Sequence, residues 1–275
     1  MRKIILKFPG GRYKAFTMSF DDGLKSDRPM VELCKKYGLK ATFNICSGNF
    51  GKGDCVDEDE AVELYDNEYC EVASHGYEHR CLGKIPVPDA MMDVVQDRIK
   101  LEQMFGKLVH GHIYPYGNYT DDVKTMVRLA GFEYCRTAVD CQSFLLPKDW
   151  YEWNPTSHIG VPAAQELLDK FLAYNESYYE GVVFYVWAHT YEFKNFFPWE
   201  RVEEFCKKIS GHDDIWYATN LEICRYVKAY RSLEYFADGT HVYNPTQIDV
   251  WIGCDYGTKM IPAGKLIDLR TGEAK

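Results

Sequence analysis

Residues 14–20 alternate apolar and polar side chains among strand formers and then break at Asp21, Asp22 and Gly23, so they read as a strand that delivers two carboxylates to its C-terminal end. Met30, Leu33, Cys34 and Tyr37 recur at helical spacing over 28–37, the pattern stops at Gly38, and 41–46 reads as the next strand. The β-α-β grammar then continues. Helical patterns over 60–68, 89–105, 121–130, 163–174, 199–209 and 221–230 interleave with strand patterns over 70–74, 109–114, 134–138, 181–189 and 215–217. Such alternation implies a parallel sheet, and its length predicts an α/β fold, a distorted (β/α) barrel of about seven units. After Tyr230 the pattern changes to short strands and turns. We therefore divide the chain into a barrel over 1–230 and a small C-terminal β extension over 231–275. The extension is too small to fold unaided and is expected to pack on the barrel.

Composition narrows the function classes. At 46% hydrophobic and 27% charged, the 275 residues suit an ordinary soluble globular protein. A formal net charge of −9 repels polyanions, which argues against nucleic acid as a partner. No apolar run reaches the ~18 residues a membrane span needs, and the apolar stretch near the start is interrupted at Lys7, too short for a secretory signal. The expected location is cytoplasmic. On that reading the ten cysteines, none in a Cys-x-x-Cys pair, are reduced core residues.

Three strand ends far apart in sequence carry candidate chemistry: Asp21 and Asp22, His75 and His79, and His189 at the end of the apolar strand over 181–189. Alone, Asp-Asp-Gly is a common turn and His-x-x-x-His merely places two rings on one face. Together, two imidazoles and one carboxylate make a three-ligand set that leaves metal positions open, as hydrolysis requires. The second Asp suits a base that takes the proton of an attacking water.

Thr17-Met18-Ser19-Phe20-Asp21-Asp22-Gly23 followed by Ala41-Thr42-Phe43, then Ser74-His75 through His79, Tyr114-Pro115-Tyr116-Gly117 and the aromatic strand ending in His189 resemble the polysaccharide deacetylases, over roughly 15–230. The resemblance implies removal of N-acetyl groups from a sugar or polysaccharide by a metal-dependent hydrolase. Asp21 would be the general base and His189 the general acid. Asp22, His75 and His79 would hold a divalent metal, Zn²⁺ in first place and otherwise Co²⁺, Ni²⁺ or Mn²⁺. The Tyr116 backbone N–H, framed by Pro115 and Gly117, would face the oxyanion. The expected partner is an N-acetylated carbohydrate or a related small amide.

Two departures from the family pattern stand out. Where the family has an Arg that pairs with the base, this chain has Ile113. Arg136 is the candidate replacement, the other reading being an Arg that faces solvent or bridges a local acid. For the acid that tunes the catalytic His, the candidates are Asp140 and Asp149, with Trp150 and Trp153 offering a sugar-stacking surface. Glu192 either binds substrate or, the favoured reading, caps the helix after His189, and Trp187 is expected to lie in the core. Two alternatives stay open: hydrolysis of a small cyclic amide or imide, and a catalytically weak carbohydrate-binding member of the family.

Overall fold

The computed structural model describes residues 4–175 and 181–274. Residues 1–3, part of the N-terminal stretch read above, lie outside them. The order is β1 (Ile5–Lys7), β2 (Lys14–Asp22), α1 (Asp27–Tyr37), β3 (Ala41–Ile45), α2 (Glu58–Tyr65), β4 (Cys70–Ser74), α3 (Val87–Phe105), β5 (Gly111–Ile113), α4 (Asp121–Leu129) and β6 (Tyr134–Arg136). There follow β7 (Ser157–His158), α5 (Pro162–Leu172), β8 (Val182–Ala188), α6 (Glu192–Asn195), α7 (Trp199–Ile209), β9 (Ile215–Tyr217) and α8 (Asn220–Arg231). The C-terminal strands are β10 (Glu234–Tyr235), β11 (His241–Tyr243), β12 (Val250–Cys254), β13 (Gly257–Ile261) and β14 (Leu266–Asp268).

The main sheet runs β6-β5-β4-β3-β2-β8-β7, all parallel, with β9 also parallel to β2. It curls into the distorted barrel that the alternation predicts. The segment entering β7 spans the remaining gap. Thr137 N–H donates to Trp153 O and Trp153 N–H to Cys135 O on the β6 side, while Thr156 N–H donates to Tyr185 O on β8.

Side-chain alternation sorts each strand into two faces. Phe16, Met18 and Phe20 of β2 and Phe184, Val186 and Ala188 of β8 pack outward into the large core beneath α1, α5 and α7. Ala15, Val183 and Tyr185 belong instead to a second cluster with Ile113, Tyr134 and residues of α8. By parity, Asp21, Trp187 and His189 also face inward.

Part of the polar interior is paired locally. Thr17 Oγ1 donates to Asn220 Oδ1 at 2.9 Å and Asn220 Nδ2 donates to Tyr185 Oη at 2.7 Å, while a Thr219–Glu222 capping box starts α8.

The C-terminal strands form two three-stranded sheets, β1-β12-β13 and β10-β11-β14. The N-terminal strand β1 thus pairs with β12, antiparallel, rather than with the barrel. Tyr226 of α8 joins the parts: its hydroxyl donates to Lys7 O at 2.7 Å and accepts from Trp251 N–H at 2.8 Å. Phe8, fully buried, packs its ring 5.7 Å from Trp216 and 6.0 Å from Tyr226. No helix of the described residues is long and apolar enough to cross a membrane.

Phe8→Ala should therefore lower stability by about 3–5 kcal/mol, the usual cost of truncating a buried aromatic, read as a fall in the denaturant midpoint. A loss below about 1 kcal/mol would mean that this seam is not closely packed.

Candidate active site

Asp21 lies in register with Asn44 and Asp22 with Ile45, so β2 and β3 end together at the barrel mouth. Asp22 has φ 84° and Gly23 φ 69°. This left-handed turn, tolerated by Asp better than by most residues, separates the two carboxylates. Asp21 is buried to 2% exposure, and its Oδ1 accepts from Asn44 Nδ2 at 2.7 Å. Its Oδ2 accepts from Arg136 Nη2 at 2.6 Å. Burial pushes the Asp21 carboxyl up, but the Arg136 guanidinium, His75 and His189 together outweigh it and hold the group at about 2. The Arg136 guanidinium rests on the Trp187 ring at 4.6 Å.

His75 continues the inner face of β4. Its Nδ1 lies 2.9 Å from Ile113 O, the donor to that carbonyl, which leaves Nε2 free of its proton and turned toward the carboxylates. Nε2 of His75 and Nε2 of His79 lie 3.7 and 3.5 Å from Asp22 Oδ1. Zinc bonds of about 2.0–2.1 Å in a tetrahedral array space their donors roughly 3.3 Å apart. Both distances to Asp22 Oδ1 are close to that spacing. Cys46 also lies near, its sulfur within 4.8 Å of donor atoms of Asp22 and His75. That thiol donates to His75 O at 3.2 Å, and burial, with Asp97 and Asp22, pushes it well above its ordinary range. His79 is the better third ligand.

The loop carrying both histidines is pinned from α3, which the sequence reading did not foresee. Asp93 accepts from the N–H groups of Tyr77 and Glu78 at 3.1 and 3.0 Å. Asp97, one turn on, accepts from Ser47 N–H at 2.7 Å and His75 N–H at 3.2 Å. Gly76, at φ 78°, is required here because a Cβ would lie 2.6 Å from Asp93 Oδ2. The signal was available: Asp93 and Asp97 share the inward helical stripe of Ala90, Val94 and Leu101.

His189 Nε2 lies 4.0 Å from both Asp21 Oδ2 and Asp22 Oδ2. Its Nδ1 is 3.2 Å from Glu192 Oε1, and His158 Nε2 is 2.7 Å from Glu192 Oε2. Burial lowers the His189 pKa, but Glu192, Asp21 and Asp22 outweigh it and the net direction is up. Behind His189, Asp27 accepts from Thr190 Oγ1 at 2.5 Å, Tyr65 Oη at 2.6 Å and Leu24 N–H at 3.1 Å. It ties the turn after Asp22 to the loop after His189. Burial pushes its carboxyl up to about 7.

Four expectations need correction. Asp140 does not touch His189; its oxygens accept from Trp187 Nε1 and His158 N–H, both at 2.8 Å. Glu192 does not cap α6, because its carboxylate is engaged between two imidazoles. Trp150 and Trp153 offer no stacking surface: they are 7% and 3% exposed and pack edge to face at 5.0 Å in the inner cluster. Trp187 faces inward rather than into the outer core, only partly buried, beside Arg136 and His158. The exposed aromatics at the mouth are instead Tyr116, its ring 4.6 Å from His79, and Tyr191, 5.3 Å from His189. Tyr116 has φ 60°, and Gly117 lies so close to Ala138 that a Cβ would meet its backbone N at 2.9 Å.

The family model described as polysaccharide deacetylase matches residues 10–135. Over that segment the chain is similar to the polysaccharide deacetylases. The match includes Asp21, Asp22, His75, His79 and Tyr116 and stops before Arg136 and His189. Among solved structures, a Mycobacterium smegmatis protein described as a polysaccharide deacetylase aligns at TM-score 0.61 and 17% identity, covering 82% of this chain and 94% of its own. An allantoinase, PuuE, aligns at TM-score 0.59 and 12% identity, covering 79% and 91%. Such low identities show the shared fold alone. With a Streptococcus pyogenes deacetylase crystallised with acetate, the alignment has TM-score 0.46 and 17% identity, covering 50% of this chain and 61% of that one. The chain thus spans less than two thirds of that relative's length. A search of curated proteins finds no match.

Removing the Arg136 charge while keeping its volume, as in Arg136→Met, leaves Asp21 buried and uncompensated, at an expected cost of about 3–5 kcal/mol at pH 7. Asp21 is held below its unfolded value, so its contribution is present above about pH 4 and lost as pH falls through about 2. The stability gap between wild type and Arg136→Met, measured on metal-stripped protein, should narrow as pH falls towards about 2. A gap independent of pH would contradict the pairing.

Proposed function

We propose that this protein is a metal-dependent hydrolase that removes N-acetyl groups from a sugar or oligosaccharide, releasing acetate and a free amine. The observation that carries the reading is the convergence, at one barrel mouth, of two separate devices. One is the Asp22, His75 and His79 donor set; the other is the Asp21 and His189 pair, each within 4.0 Å of it. A pure binder has no use for the second device.

A divalent metal held by Asp22, His75 and His79, with zinc the best match to two nitrogens and one carboxylate, supplies Lewis acidity for water activation and carbonyl polarisation. Asp21, ionised and fixed by Asn44 and Arg136, accepts the proton of the attacking water. The Tyr116 N–H faces the carbonyl oxygen as negative charge develops there. His189 gives a proton from Nε2 to the departing nitrogen as the C–N bond breaks.

Tyr116 is 69% exposed and Tyr191 40%, so the mouth is open and flanked by aromatic rings on both sides. That supports a sugar, which stacks on such rings, over a small cyclic amide, which needs enclosure.

Amine release from N-acetylglucosamine oligomers is expected once stripped protein is reloaded with Zn²⁺, Co²⁺ or Ni²⁺. Asp21→Asn should lose about 10²–10⁴-fold in kcat while still binding metal, the range for losing a general base. Absence of release with every metal, despite stoichiometric loading, would overturn the deacetylase reading.

A further inference from the structure

His189 can act as an acid only if its ring is held with one particular edge toward the substrate. A ring at a strand end turns about two bonds, and each orientation offers a different nitrogen. What fixes it is not a residue of the main sheet. Glu192, three residues on in the first turn of α6, places Oε1 3.2 Å from His189 Nδ1. Its other oxygen, Oε2, lies 2.7 Å from His158 Nε2.

His158 is fixed in turn. Its backbone N–H donates to Asp140 Oδ2 at 2.8 Å, its ring Nδ1 accepts from Gly160 N–H at 3.1 Å, and the ring stands edge-on to Trp187 at 5.0 Å. With Nδ1 an acceptor, the proton of His158 resides on Nε2, the nitrogen that lies 2.7 Å from Glu192 Oε2. Asp140 also holds Trp187, on which Arg136 rests. One continuous chain of contacts thus runs from the base to the acid. We propose that Glu192 is the positioning residue for His189, clamped by His158 on its other oxygen, so that Nδ1–H is spent on the clamp and Nε2 is presented to the leaving group.

The proposal rests on the hydrolase reading, and two measurements keep the two separable. The first uses metal-loaded protein with ¹⁵N-labelled histidine, in which the His189 signals are assigned by their loss in His189→Gln. Wild type should show a slowly exchanging proton on His189 Nδ1. Glu192→Ala should lose it, with the His75 and His79 signals in place and the metal content unchanged. Persistence of that proton would overturn the clamp. So would loss of a metal ion on substitution, because the donor atoms of His158, His189 and Glu192 lie within 4.8 Å of one another and also suit a cation.

The second measurement compares leaving groups. In 4-nitrophenyl acetate the phenolate departs without a proton, whereas the amine of an acetamide cannot. Glu192→Ala should lose about 10²-fold in kcat on the N-acetylated sugar with little change in KM, and lose at least about 30 times less on the ester. Equal losses on both would make Glu192 merely structural. If wild type shows the clamp proton and hydrolyses the ester but no N-acetylated sugar, the deacetylase reading fails and the clamp stands.

Discussion

A carboxylate sealed inside a barrel sets the terms for everything around it. Asp21 is almost without solvent, and an ionised acid there is stable only if the interior supplies opposite charge and donors. Asn44 serves one oxygen and Arg136 the other, across a sequence separation of 115 residues. Arg136 is itself fully buried, so it needs the carboxylate as much as the carboxylate needs it, and its flat face finds Trp187. The pair is weak evidence for stability in itself, since desolvation offsets much of the attraction. Its consequence is geometric. It joins β2 to β6, on opposite sides of β3, β4 and β5, and so fixes how tightly the sheet curls.

The same constraint explains why the helices outside the barrel carry acids. The mouth loops deviate from strand geometry, with Asp22, His79 and Tyr116 all at positive φ, and such backbone persists only where its surroundings over-determine it. Asp93 and Asp97 of α3 hold the His75–His79 loop by its N–H groups, and Asp27 of α1 holds the loops after Asp22 and His189. Each of these carboxyls is raised on balance because burial outweighs its N–H and O–H donors and, at Asp93, the Arg80 charge, whereas at Asp21 the Arg136 guanidinium and two histidines reverse that balance. The interior therefore separates one ionised acid, suited to accept a proton, from three that serve as struts.

Much of this was legible in the chain. The longer helices fall within two residues of expectation except α2, which ends at Tyr65 instead of Glu68, and Trp199–Ile209 and the strand Ile215–Tyr217 fall on it. Ser157–His158 was not legible, since two residues carry no period; register with β8 alone makes them a strand. Trp187 was misplaced although the signal existed. If His189 faces inward, alternation forces Trp187 inward as well. Asp140 and Asp149 were the candidates for the acid beside His189, yet a helical turn just after a strand end returns residue i+3 to the strand's last side chain. Local geometry decides that contact, and sequence distance from earlier strands does not.

The departure at Ile113 has a structural answer in the register of two strands. Ile113 of β5 and Arg136 of β6 are direct Cα partners in the parallel pairing, and both side chains face inward. What the family resemblance places on one strand is therefore found on its neighbour, at the same height in the barrel and still within reach of Asp21. Ile113 keeps a part that no side chain can alter: its carbonyl receives the Nδ1 proton of His75 and so sets which nitrogen faces Asp22. An apolar side chain there, packed in the inner cluster, places no cation and no buried donor on that strand. The cation on the next strand then has Asp21 to itself. Two inward cations at that level would instead share one carboxylate, with a large desolvation cost for the second. At this level of the barrel Ile113 and Arg136 thus each make the other tolerable.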